Sequence, residues 1–131
     1  MASGSTITRI RTARDAADLF APLLADAREE RLIVAHLGAD GELLRLSEAG
    51  RGSEDAVPLP MRRIVREALF VEAAAIILAH NHPSGDPSPS NRDMVTTRRL
   101  AEIARALGVG LRDHLIFAGR ECRSLRAMGL L

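Results

Sequence analysis

Ala73-Ala74-Ala75-Ile76-Ile77-Leu78-Ala79-His80-Asn81-His82-Pro83-Ser84-Gly85-Asp86-Pro87-Ser88-Pro89-Ser90-Asn91-Arg92-Asp93 is the stretch on which the fold turns. Its apolar beginning, Ala73 to Ala79, reads as a short buried strand. Side chains at i and i+2 of a strand share a face, so His80 and His82 project together from its carboxyl end. Pro83 holds His82 toward an extended conformation. Zinc takes imidazole nitrogen and carboxylate oxygen, and a catalytic site uses three protein ligands and leaves a fourth position open. His80, His82 and Asp93 supply such a set, and Ser90 adds a hydroxyl.

Each part has a common structural reading. Ser90-x-x-Asp93 is a capping box, in which the serine accepts the Asp93 N–H and the aspartate reaches back. Two histidines at the start of a loop are ordinary. The conjunction of a strand-terminal His-x-His, a loop pinned by prolines and a Ser-x-x-Asp helix start is far rarer. Asp93 can cap and bind metal together, because a carboxylate has two oxygens.

Outward from the motif, the spacing of Met61, Ile64, Val65, Ala68 and Leu69 predicts a helix from about Pro60 to Glu72. A second helix is expected from Ser90 to about Leu107, stopped by Gly108. Leu111–Phe117 reads as a strand that turns through Ala118-Gly119-Arg120 into Glu121–Ser124, with a last turn of helix over Leu125–Leu131. Toward the N-terminus, Thr12-Ala13-Arg14-Asp15 resembles a capping box, followed by the stripe Ala16, Phe20, Leu23, Leu24 and Ala27. Arg31–Leu37 and Glu42–Leu46 form a predicted hairpin around Gly38-Ala39-Asp40-Gly41. Arg51–Asp55 is polar and reads as a loop, and Ala56-Val57-Pro58-Leu59 as a short edge strand. Residues 1–8 are expected to be disordered, and 9–131 to form a single domain.

Apolar residues make up 47% of the 131 residues and charged ones 27%, the balance of a globular protein. The core must come from aliphatic side chains, since there are three Phe, no Trp and no Tyr. That scarcity argues against a stacking platform for single-stranded nucleic acid. The 18 basic residues are all arginine, and the net charge of +1 leaves no global field toward DNA or membrane. The single cysteine, Cys122, cannot form an internal disulfide and is expected to be inert. Neither a membrane span nor a signal peptide is read, so a cytoplasmic protein is expected.

His-x-His-Pro followed by Ser-x-x-Asp resembles the JAMM (MPN+) zinc metalloprotease motif, and the string His80 to Asp86 with Pro89-Ser90 and Asp93 is similar to its RadC-like branch. The likeness extends to Ala75–Ala79, Thr97, Leu100, Asp113-His114, Ser124 and Gly129-Leu130, and covers roughly residues 15–131. It implies an α/β fold, a curved mixed sheet flanked by helices of the cytidine-deaminase-like JAB/MPN kind, with one Zn²⁺ per chain. It implies His80, His82 and Asp93 as metal ligands and Ser90 as donor to the developing oxyanion. The family's general base is a glutamate early on the first strand. Glu29 and Glu30 both stand there, and counting back from Leu37 favours Glu30, although the residues alone read equally well as a solvated strand start.

The implied function is hydrolysis of peptide or isopeptide bonds in a peptide or protein substrate. Two alternatives stand beside it: a metal-dependent nucleic-acid-processing protein of the RadC type, and a non-catalytic MPN interaction module. RadC-branch members usually carry an added N-terminal helix-hairpin-helix segment, which is not found here, so DNA contact is less expected. Every motif position is filled, which disfavours the interaction module. His-Asn-His also matches the letters of HNH nucleases, but those spread their residues over a long ββα unit. Arg62, Arg63 and Arg66, and Arg92, Arg98 and Arg99, read as solvated helix faces. His36 reads as a packed or surface histidine. Asp113-His114 reads as a structural pair in preference to one that orients a zinc-binding histidine.

Overall fold

The computed structural model describes residues 8–52 and 59–131. Helix α1 (Ala13–Leu24) opens on the expected capping box, with Thr12 Oγ1 accepting from Asp15 N and Asp15 Oδ2 accepting from Thr12 N. It is followed by β1 (Glu30–Leu37), β2 (Leu43–Gly52), α2 (Met61–Phe70), β3 (Ala75–Asn81), α3 (Asn91–Ala106), β4 (Gly110–Ala118) and β5 (Glu121–Ser124).

The strands form one sheet in the order β2-β1-β3-β4-β5. β1 is antiparallel to β2 and β3, β3 is parallel to β4, and β4 is antiparallel to β5. The parallel pair needs a crossover, which α3 provides. β3 is buried along its whole length, and β1 and β4 nearly so, which is why these three read as near-continuous apolar runs.

Alternation along the central strands divides the core. Ile33, Ala35, Leu37, Ile77, Ala79, Leu115 and Phe117 pack with Phe20 and Leu24 of α1. Leu32, Val34, Ile76 and Leu78 pack on the other face with Ile64 and Ala68 of α2 and Leu100 and Ala104 of α3. The five-stranded mixed sheet with helices on both faces is the architecture expected for a JAB/MPN fold. His80, two residues on from Leu78, falls on the face covered by α3.

Several boundaries differ from expectation. α1 ends at Leu24, so Ala27 lies beyond its stripe and its carbonyl accepts from Asn81 Nδ2. β2 runs on to Gly52 because it pairs with β1 over its full length; Arg51, read as loop, is opposite Arg31. An edge strand tolerates the polar residues that suggested a loop. Leu125–Leu131 makes turns closed by Met128 N to Ser124 O and Leu130 N to Leu125 O, not a helix. Leu59 belongs to no strand, and the rest of the expected edge strand, 56–58, lies outside the described residues, as does the expected disorder over 1–7. Thr8 is held, its carbonyl accepting from Leu43 N.

Helices α2 and α3 stop in the same way. Ala73 N reaches Ala68 O and Glu72 N reaches Leu69 O, while Val109 N reaches Ala104 O and Gly108 N reaches Arg105 O. Both turns need a left-handed residue. Gly108 takes φ 83° without strain, whereas Glu72 takes φ 56° with a side chain.

Candidate metal centre

Three elements converge on one point. β3 delivers His80 at its end, and the chain continues extended to His82, whose N–H donates to Phe117 O at 2.7 Å. β1 begins at Glu30, two residues before Leu32, which pairs with His80. Glu30 is therefore on the His80 face. Glu29 is on the opposite side of the strand start, exposed, with Arg51 Nη1 3.4 Å from its Oε1. α3 begins beside them, capped by Ser90, and places Asp93 in its first turn.

His80 Nε2 and His82 Nε2 are 2.9 Å apart. Asp93 spans them, with Oδ1 3.7 Å from His80 Nε2 and Oδ2 3.5 Å from His82 Nε2. Glu30 Oε1 lies 3.9 Å from His80 Nε2. Glu30 and His80 are buried, while His82 and Asp93 are half-buried. Burial by itself would raise the Asp93 carboxyl, but the imidazoles of His80 and His82 outweigh it and hold Asp93 well below the carboxylate range. Asp93 in turn raises His82 above the ordinary histidine value, against the effect of burial.

These residues fit a metal. His82 Nδ1 is 2.8 Å from the Asp86 carbonyl oxygen, which can only accept, so Nδ1 carries the proton and Nε2 of the neutral ring is bare. A bare imidazole nitrogen and two carboxylates facing one another make a donor set for a cation. Ligand atoms of a tetrahedral zinc site, each about 2.0–2.2 Å from the ion, stand roughly 3.3–3.6 Å apart. The Asp93 separations come close to that, and the Glu30 separation is longer. Glu30, His80 and His82 also each offer a ligand atom, all within 4.8 Å of one another.

A cleft of about 30 Å³ opens on this point, lined by Glu30, Leu32, Leu59, Arg92, Thr96 and His114 among others. That is room for a water molecule or an ion. A roomier groove of about 500 Å³ lies between α2 and α3 along Met61, Val65, Leu69 and Ile103, but it is apolar and has no ligand-forming side chain.

Ser90 is exposed and caps α3: its Oγ accepts from Asp93 N at 2.9 Å, and Ser90 N donates to Asp93 Oδ2 at 2.9 Å. The loop between His82 and Ser90 is fixed by Gly85 N to His82 O, by Ser88 N to Asp86 Oδ1 and by Gly85 at φ 91°.

Two residues at the site carry more than the motif assigned them. Asn81, the middle letter of His-x-His, points to the opposite face, accepts from Arg31 N at 2.7 Å and donates to Glu29 O at 3.0 Å. The Asp113-His114 pair divides. Asp113 is structural, accepting from Ser124 Oγ and Arg126 N. His114 instead touches the site, with Nε2 2.7 Å from His80 Nδ1. Its burial, reinforced by His80, holds it well below the usual histidine range. Strand alternation could have put Asn81 opposite the histidines; the contact of His114 depends on the register between β3 and β4.

The remaining candidates lie away from this point. His36 is fully buried, 3.6 Å from Glu67, and burial lowers its pKa. The six arginines of the two clusters are exposed on α2 and α3. Cys122 is an exposed free thiol; partial desolvation by its neighbours, with the nearby Asp113 charge, raises it to about 11, which disfavours the reactive thiolate. No helix among the described residues is long and apolar enough to cross a membrane.

The RadC-like JAB domain family matches residues 10–130. The chain is 39% identical over 120 residues to a UPF0758 protein of Salinibacter ruber and 44% identical over 109 residues to one of Rhodobacter capsulatus. These alignments cover 89% and 82% of this chain and 50% of each relative. It is 35% identical over 129 residues to UPF0758 protein YfjY of Escherichia coli, across 98% of this chain and 79% of that one. The chain thus spans about half the length of the first two relatives. With the motif on β3 and α3, the five-stranded sheet and a match over nearly all of its length, the chain belongs to the RadC-like JAB domain family.

Proposed function

We propose that this domain is a zinc-dependent hydrolase of peptide or isopeptide bonds. The observation that carries the reading is the position of Glu30, a buried carboxylate 3.9 Å from His80 Nε2 across a cleft the size of a water molecule. His80, His82 and Asp93 would hold the ion, Asp93 being nearer than Glu30 to both imidazoles at ligand spacing. Bound zinc polarises a substrate carbonyl and lowers the pKa of a water toward ~7. Glu30 accepts that water's proton on Oε1 and returns it to the leaving nitrogen, the general acid–base part of the reaction. Ser90 accepts the Asp93 N–H through one lone pair, which leaves its own O–H free to donate to the oxyanion that develops on the carbonyl. The loop from Pro83 to Pro89 joins His82 to Ser90, and its prolines reduce the cost of ordering it.

The test is metal content and turnover together. Purified protein is expected to hold about one zinc per chain and to cleave a model isopeptide or peptide. Protein that holds zinc but cleaves no member of a broad peptide and isopeptide panel would overturn the hydrolase reading.

A further inference from the structure

We infer that Thr97, His114 and His80 form a buried hydrogen-bond relay that reverses its direction when the site takes up a cation. The inference rests on the proposed zinc site and adds the device that prepares His80 for it.

His114 on β4 lies between two partners. Its Nδ1 is 2.8 Å from Thr97 Oγ1 on α3, and its Nε2 is 2.7 Å from His80 Nδ1. Thr97 is fully buried, and His114 and His80 are 3% and 4% exposed, so water does not interrupt the chain. A neutral imidazole has one N–H and one bare nitrogen. The protons can therefore be arranged along this line in only two consistent ways.

In the first, the Thr97 hydroxyl donates to His114 Nδ1, His114 Nε2–H donates to His80 Nδ1, and His80 Nε2–H donates to His82 Nε2. His82 Nδ1–H then donates to Asp86 O, so every member is satisfied. This arrangement suits the metal-free protein. It also points an N–H at the place where a cation must sit.

In the second, His114 Nδ1–H donates to Thr97 Oγ1 and His80 Nδ1–H donates to His114 Nε2. His80 Nε2 is then bare, beside the bare Nε2 of His82. Without a cation, these two lone pairs would face each other at 2.9 Å; with one, they become its ligands. Each ring keeps a single N–H in both arrangements, and Thr97 keeps its O–H, so no net proton is gained or lost. Thr97 can terminate both because a hydroxyl donates or accepts. When it accepts from His114, its own proton can turn to the carbonyl of residue i−4, the usual alternative for a helix threonine.

Histidine ¹⁵N shifts of labelled protein at pH 8 read the arrangement directly. His80 and His114 are expected as Nε2–H in the metal-free protein and as Nδ1–H after zinc is added. Thr97→Val keeps the shape but removes the acceptor the second arrangement needs, so zinc affinity is expected to fall about 10–100-fold. Thr97→Ser is expected to restore both the affinity and the tautomer change. If His114 keeps one tautomer while zinc binds, or if Thr97→Val binds zinc as tightly as the parent, the relay is wrong and the zinc site stands. If the parent takes up no zinc, the proposed function falls. The relay is then judged by the metal-free tautomers, which overturn it if His80 is Nδ1–H.

Discussion

Asn81 holds the backbone on both sides of Glu30: its side chain accepts from Arg31 N at 2.7 Å and donates to Glu29 O at 3.0 Å. It also reaches Ala27 O at 3.3 Å. One amide thus fixes the start of β1, and with it the carboxylate that faces the histidines. Asn81→Ala would leave these groups without their partner, and an unsatisfied buried donor costs about 1–3 kcal/mol. Stability in urea is expected to drop by that order and hydrolysis with it, while zinc content holds because Asn81 points away from the metal face. Loss of zinc in a still-folded Asn81→Ala protein would show that the residue acts on the ligands instead.

Glu30 and Asp93 both stand near His80, and substitution separates their roles. Glu30→Gln is nearly isosteric but cannot take a proton, so it should keep the zinc and lose about 10²–10⁴ in rate. Asp93→Asn, and His80→Ala with His82→Ala, should lose the zinc. Metal analysis beside turnover decides. Zinc lost from Glu30→Gln and retained by Asp93→Asn would make Glu30, His80 and His82 the ligand set.

Ser90 is given two tasks. Removing the cap in Ser90→Ala should cost roughly 0.5–2 kcal/mol of stability. Removing an oxyanion donor should cost about 10²–10³ in kcat. Ser90→Asp keeps a capping oxygen but sets a negative charge beside the oxyanion, so it should recover stability more than activity. Unchanged turnover in Ser90→Ala would leave Ser90 a cap only.

On β2, Glu48 accepts hydrogen bonds from Arg51 and Arg31, which hold its carboxyl down at about 2, against an ordinary 4.5. Because the folded value is the lower one, the stabilisation is present above pH 4.5 and is lost as the pH falls toward 2. Urea midpoints at pH 6 and pH 3 should therefore fall further for the parent than for Glu48→Gln. Equal losses would mean that the pairs are too well solvated to matter.

How much of this was legible in the sequence follows from where each signal resides. His80, His82, Ser90 and Asp93 lie within one continuous segment, and strand and helix spacing bring them together without knowledge of the rest. Choosing Glu30 over Glu29 rested on the family resemblance, counted back from Leu37, because the residues alone favoured neither; the pairing of Leu32 with His80 puts Glu30 on the His80 face. Asn81 and Thr97 act through partners from 17 to 54 residues away, among them His114, Arg31 and Ala27, so their roles appear only once the sheet is assembled. The end of β2 was hidden for a different reason. Its arginines and glutamates look like loop, but an edge strand needs only backbone pairing on one side, and Arg51 finds that opposite Arg31.

Glu30, His80 and His114 lie on β1, β3 and β4, the three inner strands of a sheet whose edges are β2 and β5. Inner strands exchange their amide hydrogens last, because opening them requires most of the molecule to open. Fraying at the edges should therefore leave the proposed ligands where they are. Amide exchange at the centre should track global unfolding, and metal release by a chelator need not wait for it, since His82 and Asp93 stand on the half-exposed rim.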